Sequence, residues 1–294
     1  MSLSARLGIG FMKVIAHLPL PVLRGFGAVM GRLLFHIARP RRKVVDANLA
    51  LCFPEMSARE RADIARQTFT YVAQSWLDRS WLWHAPRAVV EKRLTIRGAP
   101  QDLQELANGQ QALILFAPHF HGLDAAATAL TMHMSRPSMT IYTTPRDPMI
   151  NEWAREGRTR FGNVTALERQ DGVKPVLQRL RRGEVLYLLP DMDFGPSQSI
   201  FVPFFGVPSA TVPSLSRFAQ LGRAIVMPAI SKVTDDGYEV ELLPRWENFP
   251  TGDVQADTLR MNQVLEEHIR KMPEQYYWVH RRFKTRPEGA PPVY

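Results

Sequence analysis

Cysteine is almost absent from this sequence, in which Cys52 is the only one among 294 residues. No disulfide can therefore form within the chain, which excludes the small disulfide-stapled domains and favours a reducing compartment. Internal repeats and low-complexity segments are absent as well. The 45% share of hydrophobic residues indicates a globular protein with a sizeable core.

Acidic residues are missing from the first 45 positions, so the charge of the chain is unevenly distributed. The charged residues in this stretch are all basic, namely Arg6, Lys13, Arg24, Arg32, Arg39, Arg41, Arg42 and Lys43. A second basic cluster near the carboxyl end consists of Arg281, Arg282, Lys284 and Arg286. With a net charge of +9, such clusters suit partners that carry phosphate, either a nucleic acid or an anionic membrane surface.

An uninterrupted apolar run of roughly 20 residues, as a membrane-spanning helix needs, is also missing. Residues 7–38 are strongly apolar, but every window is interrupted by one or more of Lys13, Pro19, Pro21, Arg24 and Arg32. No small-residue cleavage site follows, so we expect no signal peptide. We predict that residues 1–38 form a membrane-associating segment of two short amphipathic helices, broken at "LPLP" and lying in the membrane interface. The alternative is a hairpin of core helices.

The remainder, residues 39–294, is predicted to form a single α/β domain with a mainly parallel sheet covered by helices on both faces. A helix should begin at Ser57, because Glu60 three residues later completes a capping box. Short apolar runs with helix-like segments between them predict strands at 112–117, 138–144, 163–167, 184–190 and 224–230. Residues 232–244 predict a hairpin around Asp236-Gly237.

The stretch "APHFHGLDAA" places His119 and Asp124 just after the strand predicted at 112–117. Ligands bind beyond the carboxyl ends of the strands in such sheets, which favours chemistry at this position. Five residues of separation cannot bring the two side chains onto one helix face, but a strand–turn–helix can, with Gly122 giving the turn its freedom. Asp124 would then accept a hydrogen bond from one imidazole nitrogen and leave the other as a general base.

Two other interpretations of this stretch stay open on the local residues alone. It can be a structural helix start, or a metal site formed by His119, His121 and Asp124, although no third histidine lies nearby. A serine hydrolase is disfavoured because the sequence lacks a G-x-S-x-G motif.

Further candidate residues follow two of the later strands. In "LERQDG", Arg169 could grip a phosphate with its planar fork, or form a surface ion pair with Glu168 or Asp171. In "LLPDMDFGPSQSIFVPFFG", Asp191 and Asp193 make a polar turn before an apolar wall. That turn can be merely structural, and paired aspartates there could also bind a metal.

Taken in order, "NLALCFPE", "HFHGLD", "LERQDG", "PDMDFGP" with "FVPFFG", "VMPAI" and "PEQYYWVHRRFKTRPEG" resemble the late lipid A acyltransferase family. The resemblance runs from about residue 40 to the end, and "YWVHRRFKTRP" is its most specific piece. Members usually have one clear membrane-spanning segment near the amino terminus, whereas the apolar stretch of this chain is broken by prolines and arginines.

The resemblance implies a glycerolipid-acyltransferase-like fold and an enzyme at the cytoplasmic face of the bacterial inner membrane. Its reaction would transfer a fatty acyl chain from acyl carrier protein to a hydroxyl of a hydroxyacyl chain on a lipid A precursor. His119 would act as the base paired with Asp124, and Arg169 would lie near substrate phosphate or the reaction centre. We further expect no metal or other cofactor, and we expect substrate contacts from Asp191, Asp193, Arg281 and Arg282.

Two alternatives to this function remain. The enzyme could acylate another lysolipid, such as lysophosphatidate or a lyso-ornithine lipid. On charge alone the chain could also be a basic nucleic-acid-binding protein, but it lacks a recognisable nucleic-acid module, and its basic residues alternate with aliphatic rather than stacking aromatic residues.

Overall fold

A computed structural model describes residues 3–294, which form nine strands and eleven α-helices, the first five of which precede the first strand. The strands are β1 Leu94–Arg97, β2 Leu113–Phe116, β3 Ser138–Tyr142, β4 Val164–Glu168, β5 Val185–Leu188, β6 Ile200–Phe204, β7 Val207–Thr211, β8 Ile225–Thr234 and β9 Gly237–Leu242. The helices are α1 Leu3–Ile15, α2 Leu20–Ile37, α3 Arg39–Cys52, α4 Ala58–His84, α5 Arg87–Lys92, α6 Pro100–Asn108, α7 Leu123–His133, α8 Pro148–Arg158, α9 Lys174–Leu180, α10 Ser214–Gly222 and α11 Val254–Lys271.

Seven of the strands form one sheet in the order β1-β9-β8-β2-β5-β3-β4. All its pairings are parallel except β8 with β9, which form the predicted hairpin around Asp236-Gly237. The central strands β2 and β5 are buried along their whole length, as strands covered on both faces must be. The prediction of a mainly parallel α/β sheet is thereby confirmed.

Helices pack against both faces of this sheet. On one face, Leu115 and Tyr187 belong to a hydrophobic cluster with Leu130 of α7. On the other face, the neighbouring side chains Phe116 and Leu188 pack with α9, α10 and α11. Because alternate residues of a strand point to opposite faces, β2 and β5 contribute to both clusters. The helix predicted from Ser57 is α4, and both hydrogen bonds of its capping box are present.

Two features of the sheet region were not predicted. Strand β1 has only four residues and only partial burial, so it lacks a clear pattern. The run "IFVPFFG", expected to be an apolar wall, forms the small hairpin β6–β7, in which Pro203 lies opposite Pro208. A proline within an apolar run argues against a strand in a sequence-based prediction, because proline has no N–H to donate to the hydrogen-bond ladder of a central strand.

The amino-terminal segment consists of two helices, α1 and α2, separated close to the predicted "LPLP" break. Contrary to expectation, α2 is long and apolar enough to cross a membrane, with a mean hydropathy of 1.2 over 18 residues. Nine of the sixteen exposed large hydrophobic side chains among residues 3–294 lie on these helices, at helical spacing: Leu3, Leu7, Phe11, Val14, Val22, Phe26, Val29, Leu33 and Ile37. Each helix therefore carries one apolar stripe facing away from the protein.

The opposite side of α2 is packed tightly onto α4. Built onto Gly31, a Cβ atom would lie 2.5 Å from the Thr70 Cα, and one on Gly27 would lie 2.9 Å from the Gln74 Cα. Arg24 adds an ion pair of 3.0 Å to Asp78, whose side chain is buried. Small residues and a buried ion pair thus fix α2 against the α/β domain.

We expect Gly31→Ala to lower the thermal stability of the protein, because the added methyl group collides with the backbone of α4. Overpacking of this kind costs about 1–3 kcal/mol. The matched control is Gly25→Ala in the same helix, where a Cβ atom meets nothing within 4 Å. That change should be neutral or stabilise the protein by up to about 1 kcal/mol. Melting temperatures measured in one detergent compare the two; equal shifts would mean that α2 does not dock as described.

Candidate active site

His119 lies on the turn that follows β2, and Asp191 lies on the loop that follows β5. Because β2 and β5 are parallel neighbours, their carboxyl ends bring these two residues together. Asp191 accepts a hydrogen bond from the His119 backbone N–H at 3.0 Å, and its other oxygen lies 2.7 Å from the imidazole Nδ1. This geometry places a proton on Nδ1 and leaves Nε2 free to act as a base.

The Asp191 carboxylate is fully buried and also accepts a hydrogen bond from the Tyr276 hydroxyl at 3.0 Å. Burial acts to raise the pKa of Asp191, but attraction and hydrogen bonds from His119, together with the Tyr276 hydroxyl, outweigh it and lower the pKa to about 2. Asp191 is therefore an ionised group held against His119, and its expected contact with substrate stays a prediction.

Asp124 is hydrogen-bonded to two arginines and not, as predicted, to His119. Its two oxygens accept hydrogen bonds from Arg79 Nε at 2.7 Å and Arg158 Nε at 3.2 Å. Burial acts to raise the pKa of Asp124, but the two guanidinium groups outweigh it and lower the pKa to about 2. The expected hydrogen bond between Asp124 and His119 is thus replaced by two bonds to arginines, and Asp191 takes the place beside the imidazole.

Arg79 and Arg158 are functional candidates that the sequence analysis missed. The Nε–H of each arginine donates to Asp124. Across residues 3–294, no other group accepts a hydrogen bond from either guanidinium. Both line the same cavity as His119. Two arginines and one carboxylate give this part of the cavity wall a net positive charge beside the free imidazole nitrogen.

The two histidines of "HFH" have different surroundings. The side chain of His119 is 19% exposed and lines the cavity, whereas His121 is buried and stacks at 6.3 Å on the Tyr71 ring. Burial lowers the pKa of His121 to about 3, although a hydrogen bond to the Tyr276 backbone opposes this, so His121 stays neutral. The region that the structure describes holds no group of three or more His, Cys, Asp or Glu side chains able to bind a metal ion.

Gly122 has an ordinary backbone φ of −81°, so the expected freedom of the turn is not its role. A Cβ atom there would lie 3.0 Å from both Ser231 and Tyr238, closer than ordinary van der Waals contact. Glycine thus lets the start of α7 pass close to β8 and β9.

The carboxyl-terminal segment holds the His119 turn from the other side. The Tyr277 backbone N–H donates to the His119 carbonyl at 3.0 Å, and the His121 N–H donates to the Gln275 carbonyl at 3.0 Å. Asn48 of α3 in turn donates to the carbonyls of Trp278 and His280, both at 2.8 Å. The motifs "YYWVH" and "NLALC" therefore meet behind the site.

Asp193 and Arg282 were expected to contact substrate, which stays a prediction, and in the structure both are buried against other parts of the chain. Asp193 is buried and accepts hydrogen bonds from the Gly195 N–H and from both the N–H and hydroxyl of Thr285. Arg282 is 1% exposed and donates to the Ala210 carbonyl and the Thr211 hydroxyl. Their polar groups bind protein, so these residues fix the loop after β5 and the chain terminus.

The other two predicted binding residues are at the surface. Arg169 lies at the end of β4, lines the cavity, and stacks at 3.7 Å on the Phe194 ring rather than pairing with Glu168 or Asp171. This contact brings together "LERQDG" and "PDMDFGP". Arg281 is exposed, lies 5.8 Å from the Tyr294 ring, and is not part of the cavity wall. A substrate-binding role for either residue stays a prediction.

The cavity has a volume of about 890 Å³ and a mixed wall. Its polar groups include His119, Arg79, Arg158 and Arg169, while α7, α9 and α10 supply aliphatic side chains that include Leu130, Leu177 and Leu221. An apolar cavity with a few converging polar groups suits a small ligand or a long hydrocarbon chain.

Comparisons with known proteins show the family of the chain. The family model described as bacterial lipid A biosynthesis acyltransferase matches residues 2–285. The chain is 33% identical to a lipid A biosynthesis lauroyltransferase of Escherichia coli (strain K12), over 98% of this chain and 94% of that protein. It is 31% identical to a lipid A biosynthesis acyltransferase of Haemophilus influenzae, over 96% and 88% of the two chains. A lipid A biosynthesis myristoyltransferase of Escherichia coli (strain K12) is 29% identical, over 97% and 88%.

The low pKa of Asp191 predicts an acid-dependent loss of stability. A carboxyl group whose pKa is lower in the folded than in the unfolded protein stabilises the fold above about pH 4, and this contribution is lost as the pH falls towards 2. Its size is on the order of 2 kcal/mol. In Asp191→Asn, we expect the free energy of unfolding to fall less steeply between pH 4 and pH 2 than in the wild type. Identical slopes would show that Asp191 is not held as an ionised group.

Proposed function

Because the chain belongs to the bacterial lipid A biosynthesis acyltransferase family, we propose that it transfers a fatty acyl chain from acyl carrier protein to a hydroxyl of a hydroxyacyl chain on a lipid A precursor. The observation that carries the proposal is the imidazole of His119, held through Nδ1 by Asp191 with its Nε2 unoccupied in a largely apolar cavity. We also assign the sheet with its H-x-x-x-x-D turn to the glycerolipid-acyltransferase fold.

In the proposed reaction, His119 Nε2 removes the proton of the acceptor hydroxyl as its oxygen attacks the thioester carbonyl. The negative charge on the carbonyl oxygen is stabilised by the arginines that Asp124 holds in place, Arg79 and Arg158. When the intermediate collapses, the C–S bond breaks and the imidazolium returns the proton to the departing thiol. The products are an ester on the lipid and the free carrier thiol. Asp191 stays ionised and keeps the imidazole in the required tautomer.

Asp124 is therefore proposed as a positioning residue for two cations rather than as the partner of the base. Arg169 remains the candidate for holding a phosphate of the acceptor, because its guanidinium lies over the Phe194 ring at the cavity wall. The aliphatic part of the wall would shelter the acyl chain. Relatives of similar identity are named for lauroyl, palmitoleoyl and myristoyl groups, all of them long hydrocarbon chains.

We expect His119→Ala to lose acyl transfer by a factor of about 10²–10⁴ while it keeps the fold, because the base is removed. Asp191→Asn should lose a similar factor, since an amide can no longer fix the tautomer. The matched control is His121→Gln, which changes the second histidine of the same turn and should retain most activity. Mass spectrometry of lipid A from cells that express each variant measures the product. An active His119→Ala variant alongside an inactive His121→Gln variant would reverse the assignment.

We further propose that the enzyme is attached to the cytoplasmic face of the inner membrane through α1 and α2. The exposed stripes of these helices would enter the interface, with Lys13 and Arg32 facing anionic headgroups. Arg24 is not available for that purpose, because it is paired with Asp78 and also donates to the Gly237 carbonyl. The docking of α2 on α4 supports a helix that lies on the membrane rather than one that leaves the domain to cross it.

Replacing two residues of the exposed α2 stripe, as in Phe26→Asp with Leu33→Asp, should lower retention on membranes at least about a hundredfold, since each large apolar side chain contributes about 1.5–3 kcal/mol. High salt alone should extract the wild type poorly, whereas detergent should release it. Phe201→Asp, at an exposed phenylalanine of β6, is the control and should leave retention unchanged. Sedimentation with membranes measures all three. Full retention of the double variant would place the attachment elsewhere.

A further inference from the structure

The cavity beside His119 receives side chains from helices on both faces of the sheet. On one face it is lined by Arg79 of α4, Leu130 of α7 and Arg158 of α8. On the other face it is lined by Leu177 of α9 and by Arg217 and Leu221 of α10. The wall of this one cavity thus combines side chains from both faces of the sheet at its carboxyl edge.

The first side adjoins the proposed membrane helices, because α1 packs against α4 and α8. The second side is formed by α9 and α10, neither of which is among the helices that α1 and α2 chiefly contact. If the lipid acceptor enters beside α1, the side of the cavity lined by α9 and α10 is left for the other substrate.

This second side of the cavity, which we call the α9–α10 mouth, is lined by Arg169, Val173, Leu177, Arg217 and Leu221. Its residues are either apolar or basic. Val173 is 61% exposed and Leu221 is 50% exposed, although both are large aliphatic residues. Exposed apolar side chains with charges around them are typical of a protein-binding surface.

The charge around the α9–α10 mouth is almost entirely positive. Residues 172–183 contain no Asp or Glu, and neither do residues 194–234. Lys174 and Arg181 flank the mouth, and neither forms an ion pair within the part of the chain that the structure describes; Arg181 instead donates to the Leu221 carbonyl at 3.4 Å. Of the acidic side chains next to these segments, Asp171 accepts a hydrogen bond from the Glu168 N–H, and Glu184 forms an ion pair of 2.9 Å with Arg179.

We propose that the α9–α10 mouth is the docking surface for an acidic protein that delivers the acyl thioester, with Lys174, Arg181 and Arg217 facing its carboxylates. Exposed Val173 and Leu221 would pack against the partner at the centre of the contact. The thioester arm would reach His119 through the cavity, while the lipid acceptor enters from the α4–α8 side. The two substrates would thus meet at the imidazole from opposite faces of the sheet. The assignment rests on the proposed use of acyl carrier protein as donor.

The experiment compares two thioester donors with Lys174→Glu and Arg181→Glu, which reverse charges outside the cavity wall. The donors are acyl carrier protein loaded with an acyl chain, and the same chain on pantetheine, which lacks the protein. Electrostatic steering raises association rates by about 10–10³-fold. We therefore expect each variant to lower kcat/KM about tenfold or more with the carrier protein and to leave it unchanged with acyl-pantetheine. The control is Lys92→Glu, an exposed lysine of α5 far from the mouth along the sheet.

Direct binding of the loaded carrier protein, measured without turnover, should rank the variants in the same order and weaken with salt in the wild type. An equal loss of kcat/KM with both donors would mean that Lys174 and Arg181 shape the cavity. That result would overturn the docking surface. If Lys92→Glu lowered kcat/KM with the carrier protein as much as Lys174→Glu does, the loss would reflect the net charge of the protein, and this too would overturn the docking surface. Wild-type enzyme that uses acyl-pantetheine but neither binds nor uses the carrier protein would refute the partner. Failure with every donor would instead refute the proposed function, and undiminished carrier binding by Lys174→Glu would separately refute the surface.

Discussion

The buried carboxylate of Asp191 is the group on which the arrangement of the site depends. It accepts hydrogen bonds from the backbone and imidazole of His119 and from the Tyr276 hydroxyl, so it joins three separate parts of the chain. An ionised group without water around it is costly unless hydrogen bonds and an opposite charge surround it. The turn after β2, the loop after β5 and the carboxyl-terminal segment must therefore fit together before Asp191 can be buried.

That requirement explains why so much of the most specific sequence lies away from the cavity. "YYWVHRRF" forms the rear of the site: its backbone pairs with the His119 turn, and Arg282 ties it to β7. Asn48 of α3 anchors the same segment through two carbonyl groups. These motifs hold the base in position, and the residues that face the cavity are few. A motif can thus be specific for a family because the packing around its active site is demanding.

The sequence predicted the elements whose pattern is local. Neighbouring residues alone were enough to predict the capping box of Ser57, the strand β2 and the turn at Gly237. The pairing of His119 was predicted wrongly because the nearest carboxylate in sequence, Asp124, was preferred to Asp191, which lies 72 residues away. The order of strands decides that pairing, and a sequence pattern does not give that order. The fact that "PDMD" also follows a strand was the signal that pointed to Asp191.

The packing of α2 has a consequence for how the enzyme would meet its substrate. This helix is held directly against α4 by the close contacts of Gly27 and Gly31 and by the ion pair between Arg24 and Asp78. Residue 79 of the same α4 holds Asp124 at the cavity. If the exposed stripe of α2 rests in the bilayer surface, the height of His119 above that surface is then fixed by the fold and does not vary as it would on a tether. Such an enzyme has a fixed reach, and the depth at which an acceptor hydroxyl sits in the membrane becomes part of its substrate selection.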